Sequence, residues 1–160
     1  MSLRIGHGLD AHRLVPGRRL MLGGVHVDHD LGLAGHSDGD ALAHALGDAV
    51  LGAAGLGDIG RHFPSAEECW RDLAGVDLLA AVAEKLAAAG ASLVSASAVV
   101  IAERPRLADH LDAMGAACAA ALGAEPGAVR VSATTTDGMG LTGRGEGIAV
   151  SAVALVDDGV

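Results

Sequence analysis

Hydrophobic and polar positions along the chain fall into blocks of recognisable period. Residues 3–12 read as a strand interrupted by Gly6 and Gly8. A turn at Pro16-Gly17 follows, and residues 19–27 read as the hairpin partner of that strand. In the next block Leu42, Leu46, Ala49, Val50 and Ala53 form one apolar stripe, which predicts a helix over 38–54 ended at Gly55. Ser37 followed by Asp40 resembles a capping box at its start. Residues 57–74 have no period and read as irregular. Leu79, Val82 and Leu86 predict a second helix from Asp77 to Ala89, with Gly90 as its stop. A Val- and Ser-rich strand over 92–102 precedes a third helix from Leu107 to Leu122, whose apolar side carries Leu111, Met114, Cys118 and Leu122. Strands over 128–134 and 147–156 close the chain, and a glycine-rich loop joins them. The order β-β-α-α-β-α-β-β predicts one α+β domain over residues 1–160, a mixed sheet with helices packed on one face.

Composition sharpens this picture in three ways. Hydrophobic residues make up 51% of the 160 positions but aromatic residues only 1%, Phe63 and Trp70, so the core must be packed from Ala, Val and Leu. The 24 glycines exceed what plain helices use and predict tight turns or backbone that closely approaches a neighbour or ligand. The formal net charge of −9 argues against a nucleic-acid surface, though not against a phosphorylated substrate, since metals and helix N-termini handle phosphate locally. No run of apolar residues is long enough for a membrane span, and MSLRIGHGLD contains no long apolar stretch of a secretory signal. Cys69 and Cys118 lie in unrelated contexts, so a reduced, cytoplasmic protein is expected.

The candidate chemistry begins with histidine. Six of the eight histidines lie within the first 44 residues. Asp10 and His12, one residue apart on a strand, share a face. His44, one turn into the first helix and four residues after Asp40, is the third candidate ligand. Carboxylate and imidazole are ordinary zinc donors, and three of them would leave one coordination position for substrate. GHSDGD sets His36 and Ser37 at the mouth of the helix, where its positive end favours an anion. In TTTDGMGLTGRGEG, hydroxyls alternate with glycines, Asp137 offers a hard oxygen for magnesium, and Arg144 stands ready to pair with Glu146 or grip an anion. Each motif alone has an ordinary structural explanation, as a helix cap or a hairpin.

Taken together, RIGHGLDAH, GHSDGDALAHALGDAVLGAAGLGDIG, ERPRL and ATTTDGMGLTGRGEG resemble the 2-C-methyl-D-erythritol 2,4-cyclodiphosphate synthase family, in order and over nearly the whole chain. The resemblance implies a lyase of non-mevalonate isoprenoid biosynthesis. Such an enzyme cyclises 4-diphosphocytidyl-2-C-methyl-D-erythritol 2-phosphate by attack of the substrate's own phosphate, and CMP leaves. It implies zinc on Asp10, His12 and His44, where manganese or cobalt are also accepted, and magnesium on Asp137. His36 and Thr135 match positions that hold the phosphates and stabilise the transition state. Cytidine contacts carry over to Asp58, Ile59 and Gly60 and to Ala102, Pro105, Arg106, Leu107 and Ala108. Further substrate contacts carry over to Ser37, Phe63, Ser65 and Glu67, and to Thr134, Thr136, Leu141 and Arg144. The resemblance also implies a homotrimer whose sheets pack around the threefold axis, with active sites between subunits and an axial cavity that takes an isoprenoid diphosphate.

The chain departs from the family pattern in places. Ser65 stands where a carboxylate is expected, Asp137 replaces the commoner Glu, and Gly138 replaces a frequent Lys. Leu9 and Leu141 occupy positions often held by Phe. Two rival readings remain at this stage: a zinc phosphohydrolase that uses water as the nucleophile, and a non-catalytic trimer that binds isoprenoid diphosphate. The identity of the product separates the enzymes, and turnover separates both from a binder.

Overall fold

The computed structural model describes residues 2–160. Its first strand, β1 (Leu3–Pro16), runs antiparallel to β4 (Leu31–Leu33) on one side and to β7 (Gly147–Asp157) on the other. β5 (Ser92–Ile101) lies antiparallel to β7, and β6 (Val129–Thr134) lies parallel to β5 at the edge. The five-stranded order is β4-β1-β7-β5-β6.

β2 (Leu20–Leu22) and β3 (Val25–Val27) form a separate two-stranded sheet. This corrects the expected pairing of 19–27 with the first strand. Gly23 and Gly24 both adopt positive φ, 58° and 72°, so the chain reverses within 19–27 and the segment pairs with itself. The true short partner, β4, was too brief to show a period.

Helices α1 (Ala41–Ala53), α3 (Gly75–Ala88) and α4 (Leu111–Ala121) occupy the other predicted helical stretches. The third begins later than expected, because 108–110 form a 3₁₀ turn. The irregular stretch contains the one-turn helix α2 (Ile59–His62), and the glycine-rich loop contains α5 (Gly140–Gly143). The expected capping box also needs correction. Gly39 at φ +76° breaks the helix before Asp40, so Asp40 is the cap and Ser37 is free for other work.

Asp40 is fully buried, and its carboxylate accepts from Ala43 N–H (2.9 Å) and from Gly23 and Gly24 N–H (2.8 Å each). It therefore ties the β2–β3 turn to the start of α1. Burial pushes this carboxyl above its ordinary range, against the pull of the three N–H donors.

Every second residue of β7 from Ile148 to Val156 is fully buried beneath the helices, together with Leu42, Leu46, Ala49 and Val50 of α1. α1 approaches β1 at Gly6 and Gly8, where a Cβ would fall 2.0 Å from the carbonyl oxygens of Ala49 and Ala45 respectively. The two glycines that seemed to interrupt a strand are the places where backbone meets backbone. The opposite sheet face leaves Leu3, Ile5, Leu9 and Val153 between 40% and 74% exposed.

Candidate metal centre and substrate cavity

Gly6, Gly8, Asp10 and His12 project from the same face of β1 by strand alternation. The first two let α1 descend onto the sheet, and the next two then meet His44 from its first turn. Asp10 Oδ2 lies 2.8 Å from His12 Nε2 and 3.2 Å from His44 Nδ1, and the two ring nitrogens are 3.3 Å apart. Among the described residues, these three form the group whose ligand atoms converge closely enough to hold a metal.

The outer hydrogen bonds orient the rings. His12 Nδ1 faces the Ala34 carbonyl, which can only accept, so Nδ1 carries the proton and Nε2 turns its lone pair inward. His44 Nε2 faces Ser37 Oγ at 3.2 Å, which leaves Nδ1 for the centre. Burial would raise the Asp10 carboxyl, but hydrogen bonds from His12 and His44 outweigh it and hold it at about 2. The same contact with Asp10, opposed by burial, raises the His12 imidazole. Without metal the Asp10 carboxylate lies within hydrogen-bonding distance of both imidazoles. A divalent cation would take the place of those contacts, and one oxygen and two nitrogens suit zinc.

Ser37 is nearly buried, and its Oγ also accepts from Gly39 N–H (3.3 Å). Ser37→Ala is expected to weaken zinc affinity 10- to 100-fold, roughly the usual effect of removing a group that orients a ligand. Competition with a chromophoric chelator measures this, and unchanged affinity would count against the role given to Ser37.

A cavity of about 260 Å³ opens beside the three ligands. His12, His36, Ser37 and His44 line its polar side, Ile59, Gly60 and Ser65 its rim, and Phe63, Trp70, Leu73 and Leu78 its apolar wall. Asp58 caps α2 by accepting from Arg61 N–H (2.9 Å), and Asp48 of α1 accepts from Ile59 N–H (2.8 Å), so the GDIG turn is pinned to the helix that carries His44. Burial pushes the Asp48 carboxyl up, the Ile59 N–H pulls it down, and the Asp58 charge pushes it up again.

A second cavity of about 410 Å³ lies at the C-terminal ends of the parallel pair β5 and β6. Ala102, Pro105, Arg106, Leu107 and Ala108 line it from one strand's end, Thr134 and Thr135 from the other's. Thr136 Oγ1 bonds Thr142 Oγ1 (2.9 Å) and the Met139 carbonyl (2.6 Å), which closes the glycine-rich loop on itself. Asp137 sits in that loop at φ 53°, outside the converging metal group. Arg144 pairs with Glu146 at 2.7 Å on the surface, and Leu141 is 46% exposed. The two cavities share no lining residue. Of the residues predicted for substrate, one group lines the first cavity and another the second, while Asp58, Glu67, Thr136, Asp137, Leu141 and Arg144 line neither.

Glu67 lies outside both cavities, and its carboxylate accepts from the Trp70 indole. Trp70, Leu73 and Leu78 were not foreseen as cavity residues. The signal available was scarcity: a chain with two aromatic residues places them edge to face here, with ring centroids 5.0 Å apart. Arg18 was also missed. It donates to the Gly35 and Ser37 carbonyls (3.1 and 2.7 Å) and holds the loop that carries His36.

An α+β sheet with helices on one face, and an Asp-His-His group beside a cavity, define a fold with a site that could hold a metal ion. The chain belongs to the YgbB family, whose sequence model matches residues 3–157. A 2-C-methyl-D-erythritol 2,4-cyclodiphosphate synthase of Moorella thermoacetica is 53% identical over 156 residues, 98% of this chain and 96% of that protein. The solved bifunctional IspDF of Campylobacter jejuni superposes with a TM-score of 0.92 at 38% identity, over 97% of this chain. This chain spans 42% of that longer protein. A synthase structure described as the CDP-bound form superposes with a TM-score of 0.87 at 36% identity, over 96% of this chain and all of that one.

Proposed function

We propose that this chain converts 4-diphosphocytidyl-2-C-methyl-D-erythritol 2-phosphate to 2-C-methyl-D-erythritol 2,4-cyclodiphosphate and CMP. The observation that carries this reading is the convergence of Asp10 Oδ2, His12 Nε2 and His44 Nδ1 on one point at the wall of a cavity. It occurs in a chain 53% identical to a named synthase over 98% of its length.

Asp10, His12 and His44 would hold the divalent ion, which supplies Lewis-acid polarisation of a diphosphate oxygen when bound. The remaining work is positioning, the dominant need in phosphoryl transfer. His36 and Ser37 face the phosphates from the loop that Arg18 anchors. Phe63, Trp70, Leu73 and Leu78 keep water from the reacting phosphorus, so the substrate's own 2-phosphate is the nucleophile that reaches it. Gly60 lines the same cavity, and Asp58, which caps α2 two residues before it, takes the ribose side with it. Ala102 to Ala108 with Thr134 and Thr135 take the cytosine and the phosphate beside it, and Asp137 would hold magnesium. Phosphorus NMR of the products tests this. A cyclic diphosphate with one CMP is expected, and a linear methylerythritol diphosphate would show that water is the nucleophile.

The two separate cavities support a second part of the reading: the nucleotide half of one chain completes the metal half of another in a homotrimer. The exposed sheet face supports it too, since Ile5 at 74% and Leu9 at 65% exposed are costly in water. Ile5→Asp is expected to leave a folded monomer with little change in melting temperature and almost no CMP release. Sedimentation equilibrium checks it, and a trimer that survives the substitution sinks this interface. Among the described residues, no helix is long and apolar enough to cross a membrane.

A further inference from the structure

The segment between α2 and α3 contains Ser65, a departure from the family pattern, and supplies Phe63, Trp70 and Leu73 to the apolar wall of the metal-side cavity. Trp70 is the single tryptophan of the chain. Its ring stands edge to face against Phe63 at 83°, and Phe63 is only 7% exposed and so gives a fixed surface. At its polar edge the indole Nε1–H donates to Glu67 Oε2 at 2.9 Å. The Cys69 thiol adds a weaker donor to the same oxygen at 3.6 Å.

The backbone around this pair is stitched to the far wall of the cavity. Trp70 N–H donates to the Glu67 carbonyl (3.2 Å), Asp72 N–H to the His36 carbonyl (3.1 Å), and Asp38 N–H to the Leu73 carbonyl (3.4 Å). Gly75 N–H reaches Asp38 Oδ2 at 3.0 Å. The wall is therefore held at its base by main-chain bonds, while the indole N–H is bonded to one side-chain carboxylate. An unrestrained indole at a half-buried position has several rotamers, and only some present a face to the cavity.

Resting on the functional reading above, we propose that Glu67 is a positioning residue for Trp70. Its carboxylate fixes the indole as the surface on which the branched carbon skeleton of the substrate packs. Glu67 itself touches no substrate atom. The polar contacts to the diol then fall to Ser65, which does line the cavity and carries no charge. The hydroxyl of Ser65 and the carboxylate of Glu67 thus have different jobs, one of hydrogen bonding to substrate and the other of aiming a ring.

The test uses the full chain loaded with zinc and magnesium. CMP release by the wild type comes first, and its absence would remove the functional reading and this inference together. With release intact, Glu67→Ala is expected to raise KM about fivefold while kcat stays within about twofold, the loss of one charge-assisted hydrogen bond. In substrate-free protein the same change is expected to shift the emission of the only tryptophan to the red and to speed its quenching by acrylamide. Glu67→Gln keeps a carbonyl oxygen for Nε1–H and is expected to restore both properties. Trp70→Phe removes the donor and keeps a ring, so Glu67→Ala added to it is expected to leave KM unchanged. An equal KM effect in the two backgrounds would mean that Glu67 contacts substrate directly, and would overturn the inference. Unaltered KM and emission in Glu67→Ala would overturn it as well.

Discussion

His44→Ala is expected to abolish zinc retention and to lower CMP release by about a thousandfold or more, with the fold intact. The magnitude follows from the several kcal/mol that a Lewis acid contributes to phosphoryl transfer, at about 1.4 kcal/mol for each tenfold in rate. The reason for an intact fold lies in the position of the residue. His44 sits at the edge of α1, half-buried, while Leu42, Leu46, Ala49 and Val50 of the same helix hold it to the sheet and are fully buried. Removing the imidazole leaves Asp10 and His12 paired at 2.8 Å, a stable carboxylate–imidazole contact with too few donors for a catalytic zinc. Metal analysis after gel filtration and a melting curve on the same sample separate the two effects. A variant that keeps zinc and full turnover would place the metal elsewhere.

Gly8→Ala is expected to be nearly as damaging, although it adds one methyl group and touches no ligand. That methyl would fall 2.0 Å from the Ala45 carbonyl oxygen and 2.8 Å from the Ala49 nitrogen, both backbone atoms of α1. A helix backbone cannot rotate aside as a side chain does, so α1 must lift. The cost is about 3 kcal/mol, at the upper end for overpacking. In a domain of this size it corresponds to a fall of roughly 10 °C in melting temperature. Lifting α1 also carries His44 away from Asp10 and His12. A displacement of about 1 Å is enough to cost a hundredfold in rate. Thermal melts and zinc titration on Gly8→Ala check both effects. Wild-type values in both would show that the contact is slack and that the glycine serves another purpose.

The legible parts of the fold were those with length and period. α1, α3, β5 and β7 came through because their apolar positions repeat over ten or more residues, and the buried faces follow that repeat. Short elements carry too few residues for a period, so β4 and the single-turn helices α2 and α5 were hidden. Pairing was misread where two glycines reversed the chain inside an apparent single strand. Gly6 and Gly8 were visible but read as interruptions, because a strand sequence does not reveal which helix will cross it. The metal triad was half legible. The D-x-H spacing follows from strand alternation alone, whereas its meeting with His44, 32 residues later, depends on the glycine contact and on the Asp40 staple. What sequence spacing hides most fully is side-chain commitment. Glu67 reads as a free carboxylate near a substrate, and only the fold shows it engaged with an indole.

Asp10, His12 and His44 remain the centre of the account, and zinc-edge anomalous diffraction from crystals grown with zinc, magnesium and CDP examines them most directly. One zinc peak per chain is expected within bonding distance of Asp10 Oδ2, His12 Nε2 and His44 Nδ1, about 2.0–2.2 Å, with the CDP diphosphate beside it. A peak bound by other residues, or a CDP diphosphate lying away from these three, would contradict it.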